Sequence, residues 1–232
     1  MLISSGIRLL VAGVLFGTFA MILTGAEFSE YRGFRIGMDL PAVARLAHMD
    51  PNQATATHQR PSLIQELQWR PDQALGGSAQ PDAVSVVVFS FYNGELFRMV
   101  IEYDPAKIEG LTPDDIVHSI SAVYGPGAKP AAQITIRLSG SYGYSKSEDV
   151  IARWQDAQYS LNLVRASFRQ TYALVAISNR VDRIAQAAIT EAERLDTVER
   201  PQREQERAMR EAGEERAKAE KARILNQPNF RP

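Results

Sequence analysis

"SVVVFSFYNGELFRMVIEYD", residues 85–104, is the stretch of this 232-residue chain that decides the fold. Its Asn93-Gly94 pair favours a type I′ turn, because that turn needs a positive φ at both central positions. The turn predicts a hairpin in which Tyr92 lies opposite Glu95 and the register continues without interruption. One face of this hairpin then carries an apolar set typical of a core: Val84, Val86, Val88, Met99 and Ile101.

The second face of the predicted hairpin is also mainly apolar near the turn. An antiparallel sheet with one solvated face normally carries polar residues there. Contiguous exposed apolar patches often mark partner sites, and arginine with aromatic residues is favoured at the centre of an interface. The sequence therefore predicts a binding surface, unless the later helix of residues 181–195 covers this face. The predicted binding residues are Phe89, Phe91, Leu96, Arg98 and Val100.

The composition is that of a globular protein and excludes several classes of function. Hydrophobic residues make up 45% of the chain and charged residues 23%, with a formal net charge of −1. Proteins that bind nucleic acid normally carry a basic face, so none is expected as a partner. The chain has no cysteine, which rules out disulfides, thiolate ligands and cysteine nucleophiles. His48, His58 and His118 are too scattered to predict a metal site, and no cofactor is expected.

The N-terminus has the pattern of a secretory signal. Arg8 precedes "LLVAGVLFGTFAMIL", residues 9–23, which carries no charge. A bilayer-spanning helix usually needs about 20 apolar residues, so this run better fits the apolar region of a signal peptide. Small residues at 24–26 predict cleavage after Ala26. We therefore expect a periplasmic or secreted protein, with an inner-membrane anchor through residues 9–23 as the alternative.

Residues 27–178 predict an α+β domain of two weakly similar units. Asp39 and Thr112 each begin a short helix as its N-cap, and a proline follows in the first turn. Residues 51–61 are polar and proline-rich and are expected to form a loop, whereas 63–69 alternate like a strand. Segments 90–104 and 152–167 both read as strand, polar turn and strand. The expected fold is one antiparallel sheet from two tandem helix-plus-three-strand units, with the helices on one face and a long C-terminal helix.

The last part of the chain changes character. Residues 179–200 carry an apolar stripe at helical spacing and are expected to dock on the domain. Residues 201–232 are mostly charged, which predicts a solvated tail, either helical or disordered. Pairs such as Glu199 with Arg203 favour a helix at i,i+4 spacing. No heptad pattern is visible, so a coiled coil is the less favoured alternative for this segment.

"FRIGMDLPAVARLA", residues 34–47, resembles the helix start of BamE-type outer-membrane assembly lipoproteins through Gly37, Met38 and Val43. The tandem units are similar to those of the β-lactamase inhibitor proteins. The whole chain, with its "NFRP" ending, is similar to uncharacterised secreted proteins of Gram-negative bacteria. These resemblances imply an envelope protein that binds another protein, although the lipobox cysteine of the BamE-type proteins is missing.

Patterns that support catalysis are weak. His118 and Ser119 are adjacent on a predicted helix, where their side chains diverge, and no nucleophile-elbow motif is present. We therefore predict a protein that is not an enzyme, acting as an interaction or scaffold domain for an unknown envelope protein. An inhibitor or accessory of an envelope enzyme or assembly machine is the alternative. A small hydrolase would need a polar pocket, for example at Glu102 and His58.

Overall fold

The computed structural model describes residues 27–71, 83–139, 145–166, 171–229 and 231. The strands in this part of the chain are β1 Glu30–Tyr31, β2 Phe34–Arg35, β3 Thr55–His58, β4 Ile64–Trp69, β5 Val84–Tyr92, β6 Glu95–Tyr103, β7 Thr135–Ser139, β8 Ser145–Gln155, β9 Tyr159–Ala166 and β10 Thr171–Ser178. The α-helices are α1 Leu40–Leu46, α2 Pro113–Tyr124 and α3 Asn179–Asn226, and short 3-10 helices lie at Pro51–Gln53 and Gln227–Asn229.

Strands β3 to β10 form one antiparallel sheet in the order β3-β4-β5-β6-β10-β9-β8-β7. Each half of the sheet is a run of consecutive strands that follows one helix, α1 or α2. The halves meet where β6 pairs with β10, with Val100 opposite Val175. The predicted α+β fold of two tandem units is confirmed, and each unit has a fourth strand at the outer edge.

The outer strand of the first unit, β3, lies within the segment predicted to be a loop. Thr55, Ala56 and Thr57 are exposed, and β3 pairs with β4 alone. A strand at a sheet edge with both faces in water has no apolar alternation to mark it. The loop prediction for residues 51–61 is therefore wrong at β3, although the preceding turn is present as a 3-10 helix.

The hairpin of β5 and β6 begins as predicted and then shifts. Asn93 and Gly94 have φ values of 50° and 85°, and Tyr92 lies opposite Glu95. After Phe91 the register changes, because β6 contains one extra residue, Phe97, as a β-bulge. The pairs from Ser90 to Val86 are displaced by one residue, so that Phe89 lies opposite Met99 and Val88 opposite Val100. A second shift between Val86 and Val84 restores the predicted pair of Val84 with Tyr103. A one-residue shift exchanges the two faces of a strand, so the predicted faces are wrong between the two shifts.

Helices α1 and α2 cover one face of the sheet. Asp39 caps α1 through a hydrogen bond from the Ala42 backbone N–H to its Oδ1 at 2.7 Å. Thr112 and Asp115 form a reciprocal capping box at the start of α2. The buried residues of α1 and α2 join one core with β-strand residues: Val43, Ala44, Ile116 and Ile120 with Leu67, Phe89, Met99, Trp154, Leu161 and Leu174.

Helix α3 lies on the opposite face of the sheet. Ser178 caps α3, accepting a hydrogen bond from the Val181 N–H at 3.4 Å. Val181 and Ala185 then pack with Ile64 and Phe97. The centre of this face holds a separate buried cluster: Val86, Val88, Val100, Val164, Ala173, Val175 and Ile177.

None of the helices in the described part of the chain is both long and apolar enough to span a bilayer. The predicted signal peptide, residues 1–26, lies outside that part.

Candidate functional site

The five predicted binding residues do not share a surface. Phe89, Phe91 and Leu96 have no exposed area and belong to the core beneath α1 and α2. Arg98 and Val100 lie on the opposite face and are 4% and 6% exposed. The prediction of one exposed apolar face is therefore wrong. The prediction fails because the bulge at Phe97 changes the alternation of β6, so that Arg98 and Val100 lie on the α3 side of the sheet and not beside Leu96.

Arg98 fixes the first turns of α3 to the sheet. Its Nε donates a hydrogen bond to Asp182 Oδ1 at 3.0 Å, and its Nη2 forms an ion pair with the same oxygen. The guanidinium also lies 5.7 Å from the centre of the Phe97 ring. The side chain of Arg98 is 5% exposed and that of Asp182 is 15% exposed, so this pair is largely screened from solvent. The expectation that the later helix covers this face holds at Arg98.

The α3 base, residues 179–199, is held at both ends. At its start, Ser160 Oγ donates a hydrogen bond to Asn179 Oδ1 at 2.9 Å. At its end, Arg60 pairs with Glu199 through both terminal guanidinium nitrogens, Nη1 and Nη2. Because Arg60 lies in the connection after β3, the helix leaves the domain beside this edge strand.

The remaining helical segment, here called the arm, comprises residues 201–226. Every described residue from 201 to 229 is exposed. At a rise of 1.5 Å per residue, the arm is about 40 Å long. Its largest apolar side chains stand in water: Met209 is 73% exposed, Ile224 62% and Leu225 69%. The predicted tail is thus helical as far as Asn226.

Ion pairs along α3 differ from those predicted. Glu199 pairs with Arg60 of the body, and Arg203 instead donates to Asp196 Oδ1 at 2.7 Å. The hydrogen bond from Arg203 holds the pKa of Asp196 below its usual value. Farther along the arm, Arg207 and Glu211 lie 4.0 Å apart. The pairs of Arg203 with Asp196 and of Arg207 with Glu211 lie within α3 and are exposed, so they contribute a few tenths of a kcal/mol each to the helix without binding it to the body.

Glu66 on β4 is an ionisable group on the α3 side whose pKa is changed by its surroundings. It lies opposite Ser90, and Ser90 lies opposite Arg98. The Glu66 side chain is half-buried, and this burial raises its pKa from 4.5 to about 7, while the charge of Arg98 acts in the opposite direction. A carboxyl group with this pKa changes its charge near neutral pH.

A cleft of about 520 Å³ opens on the side of the sheet that α1 and α2 cover. Tyr103 of β6 and Leu174 of β10 line it, so it lies at the seam between the two units. Tyr31 and Tyr124 line it too, and the Tyr124 hydroxyl donates to the Glu30 carbonyl oxygen at 3.2 Å. Burial, and then the neighbouring Tyr124, raise the pKa of Tyr103 to about 12, which keeps its hydroxyl protonated. The volume is in the range of small-ligand pockets.

The residues considered for the catalytic alternative are not brought together at the cleft, although Ser119 lines it. Neither Glu102 nor His58 lines the cleft. Ser119 Oγ donates to the backbone oxygen of Asp115 at 2.9 Å, a bond within α2, and its neighbour His118 is exposed. Among the described residues, no three His, Asp or Glu side chains are grouped so as to hold a metal ion.

The sequence gives local signals for some of these features and none for others. An N-cap serine and an apolar stripe mark the α3 base. The pairing of Arg98 with Asp182 joins residues 84 positions apart. The sequence shows only that the two side chains have opposite charges, which does not predict that they meet.

Comparison with known proteins finds no matching family model, no matching curated protein and no matching solved structure.

Proposed function

We propose that this chain is a non-catalytic interaction or scaffold protein of the cell envelope, in which the sheet domain holds the arm out for a partner protein. One observation carries the proposal: the arm is exposed along its whole length, while the α3 base is fixed by hydrogen bonds, an ion pair and apolar packing.

An arm of this kind needs a physical explanation. Most helices of globular proteins are stabilised by an apolar face packed against a core. The arm has no such contact, and ordering a residue costs about 1–2 kcal/mol of backbone entropy. Its interleaved acidic and basic residues offset part of that cost. A helix that continues for about 40 Å without a core is suited to span a distance or present a surface.

The envelope location is supported by the sequence before residue 27. A cation, an uncharged run and small residues precede the domain in the order of a secretory signal. The absence of cysteine is compatible with an oxidising compartment, because no thiol is available for unwanted disulfides.

Site-specific photo-crosslinking of the full chain in a Gram-negative host tests both parts of the proposal. We expect a photoreactive residue at Met209 or Leu225 to give adducts of discrete mass in the periplasmic fraction. A photoreactive residue at Lys107, an exposed position on the body, is the matched control and should give none of these adducts. Absence of adducts from both arm positions would contradict the interaction role. Recovery of the protein in the cytoplasm alone would contradict the location.

A further inference from the structure

Two carboxyl groups lie near one guanidinium beneath the α3 base. Glu66, Ser90 and Arg98 are cross-strand neighbours on β4, β5 and β6, so their side chains share the face of the sheet on which α3 packs. Asp182 reaches the same guanidinium from the helix, at 3.0 Å from Arg98 Nε. The four residues therefore lie on three strands and a helix, and the pair of Arg98 with Asp182 joins the sheet to the helix.

The α3 base crosses the sheet next to Glu66. Ile64, two residues earlier on β4 and therefore on the same face, is 3% exposed and packs with Val181 and Ala185. Ile189, one turn farther along α3, is also packed against this cluster. The helix thus lies over the part of β4 that contains Glu66.

The side chains around Glu66 come from three strands and from α3, and they are either uncharged or belong to the ion pair of Arg98 with Asp182. Thr55 of β3 and Ser90 of β5 are its uncharged cross-strand neighbours. Arg98 of β6 acts on it as a positive charge, and Asp182 of α3 competes for that charge. The other charges of the α3 base that the structure pairs with the body lie at its far end, where Asp196 and Glu199 approach His58 and Arg60.

We propose that docking of the α3 base on the sheet is coupled to protonation of Glu66, so that the arm is held more firmly in acidic than in alkaline surroundings. The inference is independent of which partner the arm meets. Because α3 packs on Ile64, two residues away on the same face, its docking reduces the access of water to Glu66, and the loss of water disfavours the charged form of the carboxyl group. By reciprocity, charging Glu66 must disfavour the shielded arrangement.

The direction and size of the effect follow from the two protonation states. The pKa of Glu66 is about 7 in the docked structure against 4.5 for a hydrated group. A raised pKa means that the docked state is favoured while Glu66 is protonated and loses that advantage as pH rises through 7. Between pH 5 and pH 8 this difference allows a change of at most about 70-fold in the docking equilibrium.

Hydrogen exchange of the full chain, corrected for the intrinsic rate at each pH, measures this equilibrium directly. We expect amides of residues 181–192 to be less protected than those of β9, because the α3 base opens without global unfolding. We expect their protection factors to fall at least about 10-fold from pH 5 to pH 8. Protection that does not change with pH would overturn the proposal. Protection equal to that of β9 at every pH would overturn it too, since the base would then open only with the whole molecule.

Three variants separate this coupling from other causes. Glu66→Gln resembles the protonated group, so the protection of residues 181–192 should no longer depend on pH. Glu95→Gln removes an exposed carboxylate of the neighbouring β5–β6 hairpin and should keep the unmodified profile. Asp182→Asn removes the carboxylate that competes for Arg98, so the positive charge of Arg98 should stabilise charged Glu66 more strongly. The fall in protection between pH 5 and pH 8 should then be smaller. If Glu66→Gln shows the full fall, or fails to fold while Asp182→Asn shows an undiminished fall, the proposal is wrong.

Discussion

The indole ring of Trp154 packs on the backbone of Gly127, where a side chain has no room. An ideal Cβ atom on Gly127 would lie 2.4 Å from Cε2 of the indole. The indole Nε1 donates a hydrogen bond to the Gly125 carbonyl oxygen at 2.9 Å, which fixes the ring in place. Trp154 is 2% exposed, so it has little freedom to move away. This contact ties the segment after α2 to the sheet.

We expect Gly127→Ala to lower the free energy of unfolding by about 1–3 kcal/mol, because the added methyl group overpacks this contact. Urea unfolding followed by tryptophan fluorescence measures the change. Gly213→Ala is the control, since no heavy atom lies within 4 Å of a Cβ added there. The body of the control should unfold at the unmodified midpoint. An unchanged midpoint for Gly127→Ala would show that the Trp154 ring moves freely.

A substitution of Phe89 tests whether this predicted binding residue belongs to the core. Its ring has no exposed area, and its centroid lies 4.6 Å from that of Phe34. We expect Phe89→Glu to cost several kcal/mol or prevent folding, because a buried carboxylate without a partner is strongly disfavoured. Each kcal/mol lowers the melting temperature by about 2–4 °C at this chain length. Leu111→Glu, at a site that is 47% exposed, should melt close to the unmodified protein. Equal melting of the two variants would contradict the burial of Phe89.

At the scale of elements, α3 combines a packed and an unpacked part in one continuous helix. We expect a chain ending after Arg200 to keep the melting temperature of the full chain, because residues 201–226 are exposed throughout. Its far-UV circular dichroism should lose the signal of about 26 helical residues. A chain ending after Gly213 should lose about half as much. A melting temperature several degrees lower for the first truncation would mean that the arm packs on the body.

The elements that the sequence predicts best are those with local causes. The turn at Asn93 and Gly94 and the capping box at Thr112 depend on residues within four positions of each other, and both are present. The bulge at Phe97 places Leu96 on the side of α1 and α2 and Phe97 on the side of α3. No neighbouring residue in the sequence indicates this bulge. Strand β3 lacks apolar alternation because both of its faces meet water.

The candidate site was harder to predict than the fold for the same reason. Arg98 belongs in the sequence to an apolar hairpin, and its partner Asp182 is 84 positions away. The i,i+4 rule correctly indicated a helix in the arm but wrong partners. The rule pairs Glu199 with Arg203, whereas the structure pairs Glu199 with Arg60, which lies 139 positions away in the sequence. Long-range charge pairing needs the tertiary structure, whereas local propensity does not.

At the scale of the whole molecule, two units share one sheet, and the two sides of that sheet carry different structural features. The side covered by α1 and α2 carries the cleft at the seam between the units. The other side carries the α3 base and directs the arm past the edge strand β3. The ionisable group Glu66 lies on this second side, close to the helix that it is proposed to control.

The seam itself has a consequence for assembly. Strands β6 and β10 hold equivalent places in their units and run antiparallel, with Val100 opposite Val175. Two equivalent strands paired in this way are related by a local two-fold axis, as in the isologous interface of a symmetric dimer. A chain containing the first unit alone would leave β6 as an open edge and would pair through it with a second copy of itself. The second unit therefore acts as a built-in partner, closing within one polypeptide a contact that would otherwise depend on protein concentration.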